Sequence, residues 1–533
     1  MASTSTLNSS ARGQSGGAAA VLRRAETAAE RWAPVLVPVL MVLFAIWAWF
    51  ASRGARLEMD ELLELAAAGA QTPHQVLSSL ASGVDFNPPL SHFIIRYSTA
   101  LLGNTETAAR LPAFLGIVVL LICLYVFVSR ELGRTCGVLA MLVILCSPVR
   151  EYAVQARPYG LVLGFSGLIL LCYRRATAPT SRSLALVGVA ICAAALTASH
   201  YYAVLVLGVL LCAEVIRAWE MKRPDWPLIV SCAAPPLLVL WLLRDVIRTQ
   251  RLQLTHYFSR GGLLSFDHGY DFLAMDPLVC CLALALVAGA LGSLSSGGKL
   301  PGPARLAGKP QSSGMLLGAG LLLLPVAGAL ASRFVTHAYV PRYFLPAAIG
   351  FAICFSYGVK WFSTVLPALA LLVMLPFGLG FGKAILQDAF RAPEELPASE
   401  SLAASQAPLL FDTPGTYLQM YHYYPALRDK LWVIADPAAS LRHRGYDTDD
   451  KIMLALAELG RAQAISLSAA VRRWPHFSLV PRSADSVYAL KCVMDAGAPV
   501  AVGRAFGNSN FVFEVTVPPG SVARIDACTS PIP

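Results

Sequence analysis

The residues best equipped for chemistry gather in a few short stretches set against an apolar background. The first, "RGARLEMDELLELAAAG" (53–69), places Glu58, Asp60, Glu61 and Glu64 directly after a strongly hydrophobic run. On a helix, Asp60 and Glu64 are four apart and share one face, with Glu61 beside it. The second, "DFNPPLSHFIIR" (85–96), sets a rigid Pro88–Pro89 turn before His92 and Arg96. The third, "SPVREYAVQARPYG" (147–160), supplies Arg150, Glu151, Gln155 and Arg157. The last group is "ASHYYA" with His200, Tyr201 and Tyr202, the basic loop 244–268, and "RFVTHAYVPRYF" with His337, Arg342 and Tyr343. Carboxylates mixed with arginines suit the transfer of a sugar from a lipid phosphate. A carboxylate base activates the acceptor hydroxyl, and guanidiniums stabilise the departing phosphate with bidentate hydrogen bonds.

Composition says what must position these groups. The chain has 533 residues, 56% hydrophobic and 14% charged, with a mean hydropathy of +0.59; soluble proteins carry roughly a quarter charged residues. Apolar runs long enough to cross a bilayer recur from Trp32 to Phe381. The expected spans are 33–50, 111–129, 136–149, 158–173, 184–199, 202–217, 227–243, 275–292, 315–331, 342–359 and 361–380, about eleven in all. The fold class is therefore an all-α polytopic membrane domain, residues 31–382, followed by a small α/β domain.

Residues 1–30 are expected to be a disordered cytoplasmic leader, and the first span a retained anchor. With that terminus inside, every inner loop carries Lys or Arg, as the positive-inside tendency requires. The net charge of +10 is spread over these short loops. It therefore reflects membrane topology, and no nucleic-acid partner is implied. All four polar groups then fall on the outer face. There they escape the roughly 2.5–3.5 kcal/mol that a charge costs at the bilayer centre. The outer loop 51–110 is too long for a connector and reads as amphipathic helices at the interface.

An odd number of spans leaves residues 383–533 outside. In that tail "APLLFDTPG", "KLWVIADP", "HFSLVP" and "NFVFEVTVPPG" are β-type runs bounded by turn residues. "DTDDKIMLALAELGRAQAISLSAAVRRW" is helical in pattern. Ten of the twelve cysteines lie in or beside the apolar runs; Cys492 and Cys528 are in the tail and free to pair if it is extracytoplasmic. No Cys/His metal spacing occurs, so a divalent metal has no ligand motif behind it and no cofactor is assigned.

The ordered set of motifs carries a resemblance. The "DE" pair after the first span, "NPPLSHFIIRYSTALLGNTETAARLPAFLGIVVLLICLYV", "SPVREYAVQARPYGLVL", "SHYYAVLVL" and "PRYFLPAAIGFAI" resemble GT-C superfamily glycosyltransferases. The similar branch is protein-mannosyltransferase-like and includes bacterial aminoarabinose and lipopolysaccharide-core sugar transferases. The resemblance spans roughly residues 30–360. It implies an inverting transferase in the bacterial inner membrane, taking a sugar from a polyprenyl-phosphate donor to an envelope acceptor. It also implies that Asp60 is, or lies beside, the catalytic base, with Glu61 next to it. Two positions depart from the pattern: Asn87 stands where His or Lys usually precedes the prolines, and Gln155 stands where Glu often precedes "ARPY". Glu151 is then the acid left in that loop.

The site expected from these readings has Asp60, Glu61 and Glu151 as catalytic acids and Arg157, Arg342 and Tyr343 on the donor phosphate. His92, His200, Tyr201, Tyr202 and His337 line the substrate. Glu58 and Glu64 are expected to be solvated neighbours. Plainer roles remain open: a snorkelling anchor for Arg157 and an aromatic belt for Tyr201 and Tyr202. A lipid-linked-saccharide flippase or polymerase, or a non-catalytic transporter or receptor, are the rival functions.

Overall fold

The structure is a computed structural model. It describes residues 7–178, 182–256, 267–271, 312–336, 338–362, 407–481, 488–506 and 510–530, and the isolated positions 371, 383 and 387. Helix α1 spans Leu7–Gly54. It takes in most of the stretch expected to be a disordered leader, whose Ala-, Arg- and Glu-rich second half favours helix.

The stretch 51–110 folds into helices, as expected: α2 (Met59–Ala68), α3 (Pro73–Ala81) and α4 (Leu90–Leu102). Local signals start each one. Glu58 and Glu61 form a capping box on α2, Thr72 and Gln75 form another on α3, and Pro89 precedes α4.

A series of apolar helices follows. The helices are α5 (Glu106–Leu132), α6 (Arg134–Leu145), α7 (Tyr159–Ala176), α8 (Arg182–Ser199), α9 (Val204–Met221) and α10 (Trp226–Leu242). A 3-10 turn, Pro148–Val154, separates α6 from α7. The basic stretch after α10 is helix α11 (Arg244–Gln253). Further helices are Ser312–Leu322, Leu324–Ala331 and Ala347–Phe362. Among the described residues four helices are long and apolar enough to cross a bilayer, or up to seven if each of three bent pairs is one span. The expected span 275–292, and 361–380 apart from positions 361, 362 and 371, lie outside the described residues; each of the others falls on a helix or a bent pair.

Close packing of α5 on α7 sets the site's floor. A Cβ on Gly116 would meet the Gly160 carbonyl oxygen at 2.1 Å, and one on Gly160 the Ala113 carbonyl oxygen at 2.4 Å. Only glycine allows that approach, and it fixes the start of α7, which follows Arg157.

The tail forms a six-stranded sheet of order β3-β2-β1-β4-β6-β5. Its strands are β1 (Leu409–Phe411), β2 (Leu431–Ile434), β3 (Ala464–Ile465), β4 (His476–Val480), β5 (Val500–Phe506) and β6 (Asn510–Thr516). The first four run parallel, β6 pairs antiparallel with β4, and β5 pairs antiparallel with β6. The four expected β runs are β1, β2, β4 and β6. The expected helical segment becomes two helices, Thr448–Glu458 and Leu467–Arg473, with short β3 between them. Cys492 and Cys528 form a disulfide.

The sheet does not stand apart from helices α2 and α3. Leu57, Leu62, Leu63, Val76 and Leu80 share one buried core with Leu409, Phe411, Tyr417 and Val433. Helix Pro414–Tyr423 lies on α2: the Tyr423 hydroxyl accepts from the Leu57 amide at 2.9 Å and donates to Glu106 Oε1 at 2.9 Å. Gln419 Nε2 donates to the Leu57 carbonyl at 3.0 Å. The first turn of α2, which carries Asp60, is thus held from the tail side.

Candidate active site

Glu61 is the structural knot of the site. It is 2% exposed, and Arg110 grips it with Nε to Oε1 and Nη2 to Oε2, both at 2.8 Å. The Ala156 amide also donates to Oε1 (2.6 Å) and the Glu58 amide to Oε2 (2.9 Å). Arg110 spends its remaining donors on the carbonyls of Ser52, Ala55 and Arg56. One ion pair therefore ties together the end of α1, the start of α2 and the loop before α7. With four bonds on its two oxygens, Glu61 is placed to hold Asp60 and Arg157 in register. Glu61→Gln is expected to lose about 1.5–3 kcal/mol of stability, the usual worth of hydrogen bonds to a charged group. Thermal unfolding of the purified protein measures this.

Asp60 has the exposed position that Glu61 lacks. Its side chain is 34% accessible and lies between two guanidiniums, with Arg342 Nη2 at 2.7 Å and Arg157 Nη2 at 3.5 Å from Oδ2. Arg157 Nη1 also donates to the Asp60 carbonyl at 2.8 Å. Arg342 reaches in from a 3-10 turn, Pro341–Phe344, ahead of helix Ala347–Phe362. The Nε groups of Arg157 and Arg342 and the Tyr159 hydroxyl are buried with no hydrogen-bond partner among the described residues. Three donors beside one half-open carboxylate make a cradle for an anion.

Behind Arg157 sits a wholly buried cluster. Its Nη1 lies 3.5 Å from Asp85 Oδ2 and 3.8 Å from Glu64 Oε2. His92 Nδ1 is 3.6 Å from Glu64 and 3.2 Å from the Pro88 carbonyl, and its Nε2 is 3.7 Å from Asp85. The Ser91 hydroxyl donates to Glu64, and the Asn87 amide and side chain donate to Asp85 at 2.9 and 2.8 Å. Glu64 is therefore not a solvated neighbour. It is 0% exposed, because α2 turns the face it shares with Asp60 toward α4.

Burial raises the Glu64 carboxyl to about 7. His92 is raised by Glu64 and Asp85 against its own burial. Asp85 is held low by His92 and Arg157, although burial opposes this. A carboxyl that keeps its proton in the folded state to about 7 stabilises fully below its ordinary 4.5 and loses that contribution as pH rises through 7. His92 has the same sign. The unfolding temperature should fall from about pH 4.5 to pH 7, and Glu64→Gln should flatten that slope.

Glu64, Asp85 and His92 each present one ligand atom within 4.8 Å of the others, a spacing that a divalent cation can bridge. The Arg157 guanidinium already supplies the positive charge at that place. In the second such group, His443 with Cys492 and Cys528, the two sulfurs are joined in the disulfide.

An aromatic wall closes the other side. Tyr343 meets His200 edge-on with centroids 4.5 Å apart and lies 5.0 Å from Tyr202. Tyr159 has Arg157 at 5.8 Å and Arg342 at 5.9 Å from its ring centroid. Burial, then Arg157 and Arg342, push His200 down to about 3, so it is a neutral imidazole.

The structure thus brings together Asp60, Arg157, Arg342, Tyr343, His200 and Tyr202, with Glu61 and His92 behind them. Two expected residues stand elsewhere. Tyr201 turns its hydroxyl to Gln250 of α11 at 3.2 Å. Glu151 is exposed on the 3-10 turn and lines a separate cavity with Gln155. His337 lies outside the described residues. Asp85, Arg110 and Tyr159 were not singled out from sequence, although each lies in a quoted motif: "DFNPP", "AARLP" and "ARPYG". The signal each carries is a charge or hydroxyl within three residues of a proline.

Comparison with known proteins bears on the fold. Residues 87–243 match the family described as dolichyl-phosphate-mannose-protein mannosyltransferase. No curated protein sequence matches the chain significantly. Among solved structures, ArnT from Cupriavidus metallidurans in the apo state superposes with a TM-score of 0.54 at 13% identity, covering 93% of this chain and 99% of that one. The same protein bound to undecaprenyl phosphate matches equally well, with a TM-score of 0.54, 13% identity and the same coverage of 93% and 99%. This chain is an integral membrane protein with the ArnT-like GT-C fold, and the resemblance to GT-C glycosyltransferases extends from sequence to architecture.

Proposed function

We propose that this protein is an inverting glycosyltransferase that moves a sugar from a polyprenyl-phosphate donor to an envelope acceptor at the extracytoplasmic face of the bacterial inner membrane. The observation that carries the reading is the half-open Asp60 carboxylate between Arg157 and Arg342, beside unpartnered donors on both arginines and on Tyr159. Undecaprenyl phosphate bound to the ArnT of like fold supports the donor class.

The mechanism follows from the charges. Without donor, the guanidiniums pair with Asp60. A donor phosphate takes over those contacts through bidentate hydrogen bonds, which frees the carboxylate. Asp60 then accepts the proton of the acceptor hydroxyl as its oxygen attacks the anomeric carbon. The bond from that carbon to the phosphate oxygen breaks on the opposite side, and its electron pair leaves on the polyprenyl phosphate. Arg157, Arg342 and Tyr159 stabilise the growing negative charge. Asp85 and Glu64 hold Arg157 in place, while His200, kept neutral, adds no competing charge.

The outward orientation is supported by basic inner loops and by the Cys492–Cys528 disulfide, a bond that persists in oxidising compartments. The 383–533 unit then lies outside with the site. The test uses donor lipids from a strain lacking this protein, grown on a radiolabelled sugar precursor and mixed with purified protein and that strain's membranes. Cleavage with transfer of label supports the reading. Translocation without cleavage would make the protein a flippase, and neither would make it a transporter or receptor.

A further inference from the structure

Helix α11 reads as basic, but its charges lie on one side. Arg244, Arg248 and Arg251 are exposed, whereas Leu243, Val246 and Gln250 turn inward at helical spacing. Val246 packs against the core that α2, α3 and the tail share. Gln250 is thus a long polar side chain on an apolar stripe, and it is 3% exposed.

A buried amide is unfavourable unless its donors and acceptor find partners. Gln250 Nε2 donates to the Leu80 carbonyl at 3.3 Å and to the Asp85 carbonyl at 3.0 Å. Its Oε1 accepts from the Tyr201 hydroxyl at 3.2 Å. The bond to Asp85 bears on the site. Asp85 Oδ2 accepts no hydrogen bond among the described residues and faces Arg157 Nη1 at 3.5 Å. Asn87 holds the other oxygen, Oδ1, at 2.9 and 2.8 Å, but Asn87 rides on the same loop and moves with it. Gln250 grips the Asp85 backbone from a different element, so it sets where the whole carboxylate stands.

We infer that Gln250 is a positioning residue: by fixing the Asp85 backbone it places Arg157, and with Arg157 the cradle for the donor phosphate. The inference rests on the glycosyl-transfer reading above. The helix that carries Gln250 is itself clamped from two sides. Toward α3, Gln253 Nε2 donates to the Ser82 carbonyl at 2.8 Å. Gln253 lies so close to Gly83 that a Cβ there would meet its Oε1 at 1.4 Å. Toward the tail, Lys451 Nζ donates to the Gln253 carbonyl and the Thr448 hydroxyl to the His256 carbonyl, both at 3.2 Å. Lys451 is held in turn by Asp447 at 2.9 Å. Contacts therefore run from the tail through α11 and Asp85 to Arg157, and from Arg157 to Asp60.

The experiment compares Gln250→Met, which keeps the length and removes all three hydrogen bonds, with Gln253→Met, which loosens the same turn at Ser82 only. Gln250→Met is also made in the Arg157→Gln background. Transfer from the labelled donor pool, binding of undecaprenyl phosphate and thermal unfolding are measured on each. Both single variants should unfold at lower temperature, since each leaves a carbonyl without its donor. Gln250→Met should in addition lower transfer at least about tenfold, the scale of effect that a misplacement of about 1 Å produces. It should also bind undecaprenyl phosphate more weakly, whereas Gln253→Met should stay within about twofold of the parent on both counts. In the Arg157→Gln background, Gln250→Met should change either readout by less than about twofold, because the group it acts through is gone.

Parental transfer by Gln250→Met would overturn the inference, as would equal loss of transfer by the two single variants. So would a tenfold loss that survives in the Arg157→Gln background. If Gln250→Met fails to fold, Gln250→Glu carries the same test, because it keeps the length and the acceptor for Tyr201 but loses at least one donor. A parental protein that consumes no donor would overturn the glycosyl-transfer reading instead. Undecaprenyl phosphate binding by the same variants would then still decide the role of Gln250.

Discussion

Replacing Asp60 by Asn is expected to lower sugar transfer about 10²–10⁴-fold, the usual contribution of a positioned general base. An amide fills the same space but takes no proton, so the loss should fall on kcat with KM little changed. Donor binding gives an independent readout. The free enzyme holds Arg342 at 2.7 Å and Arg157 at 3.5 Å from the Asp60 carboxylate, and an incoming phosphate must take these partners over. A neutral amide would hold them less strongly, so undecaprenyl phosphate should bind the variant as tightly as the parent or more so. A residue that merely shaped the loop would weaken binding and transfer together. Parental transfer by a folded Asp60→Asn protein would remove the base assignment.

The second large effect is expected at Arg157. Its guanidinium faces Asp60, Asp85 and Glu64 at 3.5–3.8 Å and is 9% exposed. Arg157→Gln removes a cation from the departing phosphate, worth about 10²–10³-fold in kcat for a comparable transition-state donor. It also removes the guanidinium that Asp85 and Glu64 face in the buried cluster, leaving His92 as their partner. Breaking a buried ion pair from one side costs about 3–5 kcal/mol, so the unfolding temperature should fall as well. Arg342→Gln separates the two effects. Arg342 pairs with the half-exposed Asp60 and supports no buried acid, so its variant should lose transfer with little loss of stability. Activity and thermal unfolding measured on both variants give the comparison.

Local signals made much of this architecture legible in the sequence. The apolar runs marked the helices, the length of 51–110 implied helices of its own, and four β runs in the tail are strands. Asp60, Arg157 and Arg342 were singled out by residue type and motif, and they meet. What stayed hidden depends on which helix face turns inward. Glu58, Asp60, Glu61 and Glu64 look alike as text. Only packing of α2 against α4, α5 and the loop before α7 leaves Asp60 open, locks Glu61 onto Arg110 and buries Glu64 beside His92. Arg110 could not be found by spacing, because its partner lies across the fold. The same holds for the shared core of the tail and α2: Tyr423 reaches Leu57 over most of the chain's length, and no pattern in either segment announces it.

The central claim is displacement at the anomeric carbon by an acceptor that Asp60 has deprotonated. Its most direct measurement is the configuration of the transferred sugar. Purified protein would be given a polyprenyl-phosphate sugar of known anomeric configuration, and the product's anomeric proton read by NMR. The account predicts a single product of inverted configuration, absent when Asp60→Asn is used at equal protein. A product of retained configuration would contradict it.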